Sequence, residues 1–383
     1  MIHLTIWMNF PSAFQADLFR ELSGSDEVDL EVIFAKQLPP DRVALGWQSD
    51  LTGYAHRFLD ERNKIADAVG LAWAQRSRVH IVNGIWAEPS FAAALIALRA
   101  ARSNYVIYSE ASEPELPRSA AKKSLRAAFA RLLTPRAAGI LAVSRLAEQF
   151  YKELGAREQA IYPFGYFDSK AQPAHNASYS KEADKIEVIF VGQIIHRKGI
   201  DLLIEAISPL MAEHRNLALS IVGGGELRAA LAARVDSLGL RERIRFEGVM
   251  ATREIRSRMA IVDLLVLPSR WDGWGMVVNE AFSVGVPVIV SDRCGACDIV
   301  RDGVNGYIFR SGNAADLRRC LSNFIDKRAD WPRLRAEAAA TGQKVSTEQA
   351  APYLIECLKH MAGELSERPG LPWARSEVAE DVI

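Results

Sequence analysis

Short apolar runs alternate along the chain with stretches of helical spacing, starting at the first residues. Residues 2–8, 30–34, 79–82, 105–108 and 139–143 are largely apolar runs of strand length. Between them, residues 12–23, 62–74, 89–101 and 144–154 repeat apolar positions at helical spacing, the first opened by Ser12 as a cap. This alternation predicts a parallel sheet covered by helices on both faces. The pattern lapses over 168–184, where Pro173, His175, Asn176 and scattered serines predict a linker. A second run then follows, with strands expected at 187–191, 217–222, 244–247, 264–268 and 286–290 and helices at 199–214, 226–238, 252–259 and 278–284. After a helix at 314–326, the last periodic helix is expected at about 350–364, before a polar tail with Pro369 and Pro372. The expected organisation is a first Rossmann-like domain over 1–167, the linker at 168–184 and a second such domain over 185–349. Residues 350–383 are expected to cross back towards the first domain.

A length of 383 residues suits two such domains. Composition is globular, 49% apolar and 25% charged, and 47 basic side chains balance 47 acidic ones, so nothing global points to nucleic acid. The opening MIHLTIWMNF lacks the basic start of a signal peptide and reads as a buried strand, which predicts a cytoplasmic protein. The longest apolar stretch, 91–98, is far short of the ~18 residues that span a bilayer, so any membrane contact is expected to be peripheral. Cys294 and Cys297 form a CxxC, but Cys320 and Cys357 supply no second pair, and reduced thiols are expected rather than a zinc site.

Three strand-to-helix turns carry candidate chemistry. In 268–300, PSRWDGWGMVVNEAFSVGVPVIVSDRCGACDIV, a strand ends at Pro268, Asp272 and two glycines follow, and a helix starts near Met276. Glycines let backbone N–H groups approach an anion, and a helix start favours phosphate. Gly273, Trp274, Gly275, Met276 and Val277 are therefore expected to cradle a diphosphate. Glu280 is placed to accept hydrogen bonds from a ribose diol or a sugar hydroxyl, and Asp272 to face the sugar. This segment resembles the signature of retaining glycosyltransferase family 4, in which two acids flank seven residues and a GxPVI strand follows, and the likeness continues through Gly295, Asp298, Gly303, Asn305, Gly306 and Tyr307. Asp272 and Asp298 stand where that family usually has glutamate.

In VGQIIHRKG, residues 191–199, Gly192, Lys198 and Gly199 resemble the family's phosphate-binding turn, with Gln193 in place of its arginine. The resemblance implies that Lys198 contacts the donor phosphates, with Arg197 either supplying the missing cation or facing solvent. In IVGGGE, residues 221–226, Gly223, Gly224 and Gly225 either join the donor pocket or serve only a tight turn, and Val249 and Met250 would lie near the base. The histidine that family members often place after an N-terminal strand is missing, and Glu110 is the candidate to replace it by orienting the donor sugar or taking the acceptor proton. Ser12, Phe14 and Gln15 could meet the acceptor or simply form a helix start.

The resemblance implies the GT-B fold, two Rossmann-like domains facing across a cleft. It also implies a retaining transferase that uses a nucleotide-diphosphate sugar, a glycan or lipid-linked acceptor of bacterial cell-surface polysaccharide, and no metal. An inactive homologue acting as a binding partner, or a sugar-nucleotide epimerase of the same fold, remains open. Arg118, Lys122, Lys123, Arg126, Arg131 and Arg136, interleaved with Leu125, Phe129, Leu132 and Leu133, predict either a basic amphipathic helix for an anionic membrane or a solvated face.

Overall fold

The computed structural model describes residues 1–86, 88–113, 119–169 and 184–373. Most of the expected linker, Arg118 and the tail beyond 373 lie outside them. The first domain is a sheet of seven parallel strands, β1 (Ile2–Met8), β2 (Val28–Phe34), β3 (His56–Phe58), β4 (Val79–Asn83), β5 (Tyr105–Glu110), β6 (Gly139–Val143) and β7 (Ile161–Phe164). Their order is β3-β2-β1-β4-β5-β6-β7. Helices α1 (Ala13–Ser23), α2 (Pro40–Val43), α3 (Lys64–Ala74), α4 (Pro89–Ala100), α5 (Ala120–Leu133) and α6 (Ser144–Glu153) connect them.

The second domain has six parallel strands, β8 (Ile186–Val191), β9 (Leu217–Val222), β10 (Ile244–Gly248), β11 (Leu264–Leu267), β12 (Val288–Ser291) and β13 (Gly306–Phe309), in the order β10-β9-β8-β11-β12-β13. Its helices are α7 (Ile200–Glu213), α8 (Arg228–Ser237), α9 (Thr252–Met259), α10 (Val277–Ser283), α11 (Ala314–Asp326) and α12 (Trp331–Lys344). The expected doubly wound fold is thus present in both halves. The central strands are largely apolar because both of their faces are covered: every residue of β6, β8 and β9 is buried, including Glu187 and Ser220, to which the buried Arg258 donates.

The last helix, α13 (Thr347–Met361), packs on the first domain. The Tyr353 ring stacks on Phe164 at 5.9 Å, its hydroxyl donates to the Pro163 carbonyl at 2.7 Å, and Tyr162 bonds His360 at 2.6 Å. One apolar cluster therefore runs from Leu4 and Phe19 through Phe164 into the second domain. Where the chain returns, Asp168 donates its N–H to Val345 and accepts from the Thr347 N–H, so the two crossing segments lie side by side. The CxxC cysteines are buried free thiols, as are Cys320 and Cys357. Among the described residues no helix is long and apolar enough to cross a membrane.

Local structure departs from expectation at the start of α1. Ser12 sits at the helix start, but only its carbonyl is used, accepting from the Ala16 N–H at 3.2 Å; its side chain makes no cap bond. His80 is a core residue between the Trp7 indole N–H at 3.1 Å and the Gln75 carbonyl at 3.0 Å, and burial pushes it down to about 4, so it stays neutral.

Candidate active site

The carboxyl ends of both sheets face one another across a cavity of about 590 Å3, the place where open α/β sheets hold ligands. Its floor in the second domain is built from turns that only glycine fits. Gly223 has φ +136°, and a Cβ there would lie 1.9 Å from the Gly192 carbonyl oxygen. Gly199, at φ +68°, ends the turn that carries Lys198, and a Cβ there would lie 2.0 Å from the Pro268 oxygen. These close approaches bring the ends of β8, β9 and β11 into one wall.

On that wall the Lys198 ammonium pairs with the Asp272 carboxylate, the Ser269 hydroxyl lies 3.4 Å from the same carboxylate oxygen, and Arg197 stands 3.9 Å from the other. Arg197 is held there by donating to the Trp271 carbonyl at 2.9 Å. Next to Asp272, the backbone N–H groups from Gly273 to Met276 have no acceptor among the described residues. The loop is held from the first domain: the Trp274 indole donates to Asn279 at 2.7 Å, and the Asn279 amide donates to the Tyr166 carbonyl at 2.9 Å. Trp274 also lies against Gly165, where a Cβ would come within 2.6 Å of its ring. The loop that offers its amides to the cleft is thereby fixed in position before any ligand arrives.

Glu110, at the end of β5, reaches across from the first domain. A Cβ on Gly273 would lie 1.9 Å from its Oε2, and the Tyr166 hydroxyl donates to its Oε1 at 2.8 Å. Its carboxylate is enclosed by both domains yet reached by solvent. That enclosure pushes its pKa up; the Tyr166 bond opposes the shift, Asp272 adds to it, and Arg197 and Lys198 oppose it. Glu280, one turn into α10, is buried and is pushed up to about 8, first by burial and then by Asp168, with Arg256 opposing. Behind it Arg256 pairs with Asp168, whose own carboxyl is raised to about 6 by burial.

The cleft brings together Gly192, Gln193, Arg197, Lys198, Gly223, Val249, Met250, Asp272, the 273–277 loop, Glu280, Glu110 and Phe14. Four expected residues do not line it. Gly224 and Gly225 serve the turn itself: the Gly224 carbonyl accepts from the Ile194 N–H at 2.8 Å, and a Cβ on Gly225 would lie 2.4 Å from the Ile194 oxygen. Ser12 is buried beneath the first turn of α1, and Gln15 is directed at the Tyr108 hydroxyl. Asp298 stands away from the cleft as a link between domains, accepting from the Arg145 N–H at 2.6 Å with the Arg145 guanidinium 3.3 Å away.

Sequence reasoning missed the wall supplied by 42–47 and Tyr166. Trp47 meets Phe14 edge-on at 5.5 Å and Arg42 lies 5.1 Å over its ring. Gly46 approaches the second domain so closely that a Cβ would lie 2.8 Å from the Met250 oxygen. The available signal was a tryptophan in an aperiodic loop, where an aromatic side chain has no strand or helix face to fill. Among the described residues no three His, Cys, Asp or Glu side chains gather as a metal site.

Comparison with known proteins agrees with this architecture. Residues 171–345 match the family described as Glycosyl transferases group 1. Over 159 residues the chain is 31% identical to an alpha-D-kanosaminyltransferase of Streptomyces kanamyceticus, covering 41% of this chain and 39% of that protein. Over 167 residues it is 32% identical to a GDP-mannose-dependent phosphatidylinositol monomannoside mannosyltransferase of Mycolicibacterium smegmatis, covering 42% of this chain and 43% of that one. The chain thus spans less than half the length of either relative. The structure of HepE from Anabaena in complex with UDP superposes with a TM-score of 0.73 at 18% identity, over 94% of this chain and all of that one. The lipopolysaccharide outer core galactosyltransferase WaaB, in its apo form, gives 0.70 at 17% identity over 95% of this chain and all of that one. Residues 171–345 are thus similar to the group 1 glycosyl transferases, and the chain as a whole has the GT-B fold.

Proposed function

We propose that this protein is a retaining family 4 glycosyltransferase that moves a sugar from a nucleoside-diphosphate sugar to a hydroxyl of a glycan or lipid-linked acceptor, in bacterial cell-surface polysaccharide synthesis. The observation that carries this reading is the convergence, in one interdomain cavity, of Lys198, Arg197, Asp272, Glu110 and the unpaired amides of the 273–276 loop. A diphosphate entering there takes Lys198 from Asp272 and accepts the loop N–H groups. Asp272, so released, hydrogen-bonds the donor sugar, and Glu280 takes the ribose. The bond from the anomeric carbon to the β-phosphate breaks and its electron pair leaves with the diphosphate. The acceptor oxygen bonds the same carbon from the same face, and its proton passes to a phosphate oxygen. Charge grows on the leaving phosphate during this step, so fixed donors there lower the barrier more than they strengthen binding. Lys198 and Arg197 supply the positive charge, and the reaction requires no divalent cation.

A UDP-bound neighbour and a GDP-mannose-dependent relative both stand among the similar proteins, so the base is the variable to measure. A thermal-shift and hydrolysis panel of UDP-, GDP-, ADP- and CMP-sugars without acceptor is expected to show stabilisation by one base class, with slow release of free sugar. No shift with any of them would overturn the donor reading in favour of an inactive partner.

The reading extends to a cytoplasmic enzyme resting on a membrane through α5. Leu125 is 71% and Leu132 46% exposed, while Lys122, Lys123, Arg131 and Arg136 share the solvent face; Phe129 and Leu133 turn inward. Each basic residue near an anionic leaflet is worth about 1 kcal/mol. Sedimentation with phosphatidylglycerol-containing vesicles should therefore fall by more than about tenfold in Lys122→Glu/Arg131→Glu. Equal binding by the variant, or by neutral phosphatidylcholine vesicles, would refute the membrane contact.

A further inference from the structure

Behind Glu280 the two domains meet on buried charge. Asp168 lies in the crossing segment, bridged to Ser346, with its N–H on the Val345 carbonyl and its carbonyl on the Thr347 N–H. Two residues earlier the Tyr166 carbonyl accepts from Asn279, the residue before Glu280, so the crossing segment runs beside the first turn of α10. From the other side comes α9, which packs against α10. Its Thr252 and Ile255 line the donor cavity with Glu280, and Arg256, one turn after Thr252, pairs with Asp168. Arg256 bears on both acids, opposing the upward shift of each carboxyl, and Asp17 on α1, itself paired with Arg20, is the further charge that bears on Asp168.

The pairing at this junction is incomplete. Arg256 Nε, Asp168 Oδ2 and the Ser346 hydroxyl oxygen are each buried without a hydrogen-bond partner. A buried donor on a cation is costly to leave unused. A guanidinium carries its N–H donors in a rigid fork, so different edges of it can hold two carboxylates at once. The demand for a second edge is set by Glu280. While Glu280 keeps its proton, Asp168 and Arg256 balance each other. Once a ribose diol donates to Glu280 and its proton leaves, Asp168 and Glu280 together face Arg256 with one negative charge in excess. An uncompensated buried charge is expensive, and the unused Nε–H is the donor at hand to stabilise it.

We propose that Arg256 is a positioning residue for the donor nucleotide: its unused Nε–H takes the ionised Glu280 that binds the ribose while its terminal N–H2 keeps Asp168, tying ribose binding to the segment that joins the domains. This rests on the donor reading above and adds to it a competition. Asp168 and Glu280 draw on the same guanidinium, so strengthening one pairing weakens the other. The ribose end of the donor is thereby felt at the crossing segment, while the diphosphate end is held apart from it by Lys198 and the loop amides.

The test is calorimetric binding of UDP, GDP and inorganic pyrophosphate to the full chain from pH 6 to pH 9. Arg256→Met should lower affinity for whichever nucleoside diphosphate binds by about tenfold at pH 7 and move its levelling-off to higher pH, because Glu280 loses the cation that favours its carboxylate. Asp168→Asn, of nearly the same shape, should act in the opposite direction. Its affinity at pH 7 should rise and level off at lower pH, because Arg256 is freed for Glu280 and the like charge is gone. Inorganic pyrophosphate has no ribose, so its affinity should match the wild type in both variants. An ion pair that only holds the domains together would make the two variants change alike. Weaker nucleotide binding in both variants, no change in Asp168→Asn, or an equal change for pyrophosphate would overturn the proposal, and Asp168→Asn alone decides the matter if Arg256→Met does not fold. Binding of neither UDP nor GDP by the wild type would instead sink the donor reading, and this proposal with it.

Discussion

Replacing Lys198 with alanine should lower sugar transfer and acceptor-independent donor hydrolysis by about 100- to 1000-fold, the loss seen when one fixed transition-state donor is removed, ~2.7–4 kcal/mol. The ammonium is paired with Asp272, and both side chains are mostly buried. Two effects of the substitution must therefore be separated. One is the loss of a cation from the diphosphate. The other is an Asp272 carboxylate stripped of its closest cation, with Arg197 3.9 Å away as its remaining ion pair, close to Glu110, whose carboxyl it already shifts upward. Lys198→Ala/Asp272→Asn distinguishes them, because it removes the stranded charge without restoring the cation. The expected result of single-turnover measurements on both variants is that the double variant stays as slow as the single one while regaining its thermal midpoint. Recovery of the rate in the double variant would mean that Lys198 acts only by neutralising Asp272, and the assignment of Lys198 to the donor phosphates would be wrong.

How legible this site was in the sequence differs between the halves. The second-domain turns could be read because their chemistry is local. Lys198 and Gly199, and Asp272 through Glu280, each sit within one strand-to-helix connection, where glycine spacing reports a close backbone approach. Gly224 and Gly225 show the limit of that logic: the same spacing serves packing against Ile194. The elements missed were short or weakly patterned. β3 is three largely exposed residues, β7 carries Pro163 at a sheet edge where a missing N–H is tolerated, and α12 buries only Leu334, Ala338 and Thr341. Tyr166 and Trp47 belong to loops without periodicity, and their place in the cleft is set by domain packing that no local pattern encodes. The substitution of aspartate at 298 has a structural reason visible only in the fold, since its carboxylate caps a first-domain N–H instead of facing a ligand.

Glu280 should give nucleotide binding a proton signature and set it against stability. Burial raises its carboxyl to about 8, so at pH 7 it is mostly protonated. Hydrogen bonds donated by a ribose diol favour the carboxylate, and binding at pH 7 then expels a proton. Affinity for the nucleoside diphosphate should rise with pH, by at most about tenfold per unit, and level off above about 8. Calorimetry at pH 7 in two buffers of different ionisation heat should show up to one proton released per nucleotide. Glu280→Gln should abolish that release and cost about 10- to 100-fold in affinity, the value of hydrogen bonds to a charged group, ~1.5–3 kcal/mol. Stability runs the other way. A carboxyl whose folded pKa lies above its unfolded 4.5 holds a proton that the unfolded chain has lost, so its contribution is full below 4.5 and declines as pH rises to about 8. Asp168, raised from 3.8 to about 6, acts in the same direction over its own window. Glu280→Gln should therefore match the wild type in urea unfolding at pH 5 and exceed it at pH 8 by an amount on the order of a few kcal/mol. A variant that gains stability at pH 8 while losing nucleotide affinity would show that this buried acid is retained for binding at the expense of the fold. Proton uptake on binding, or equal stability of the two proteins at both pH values, would remove Glu280 from the ribose site.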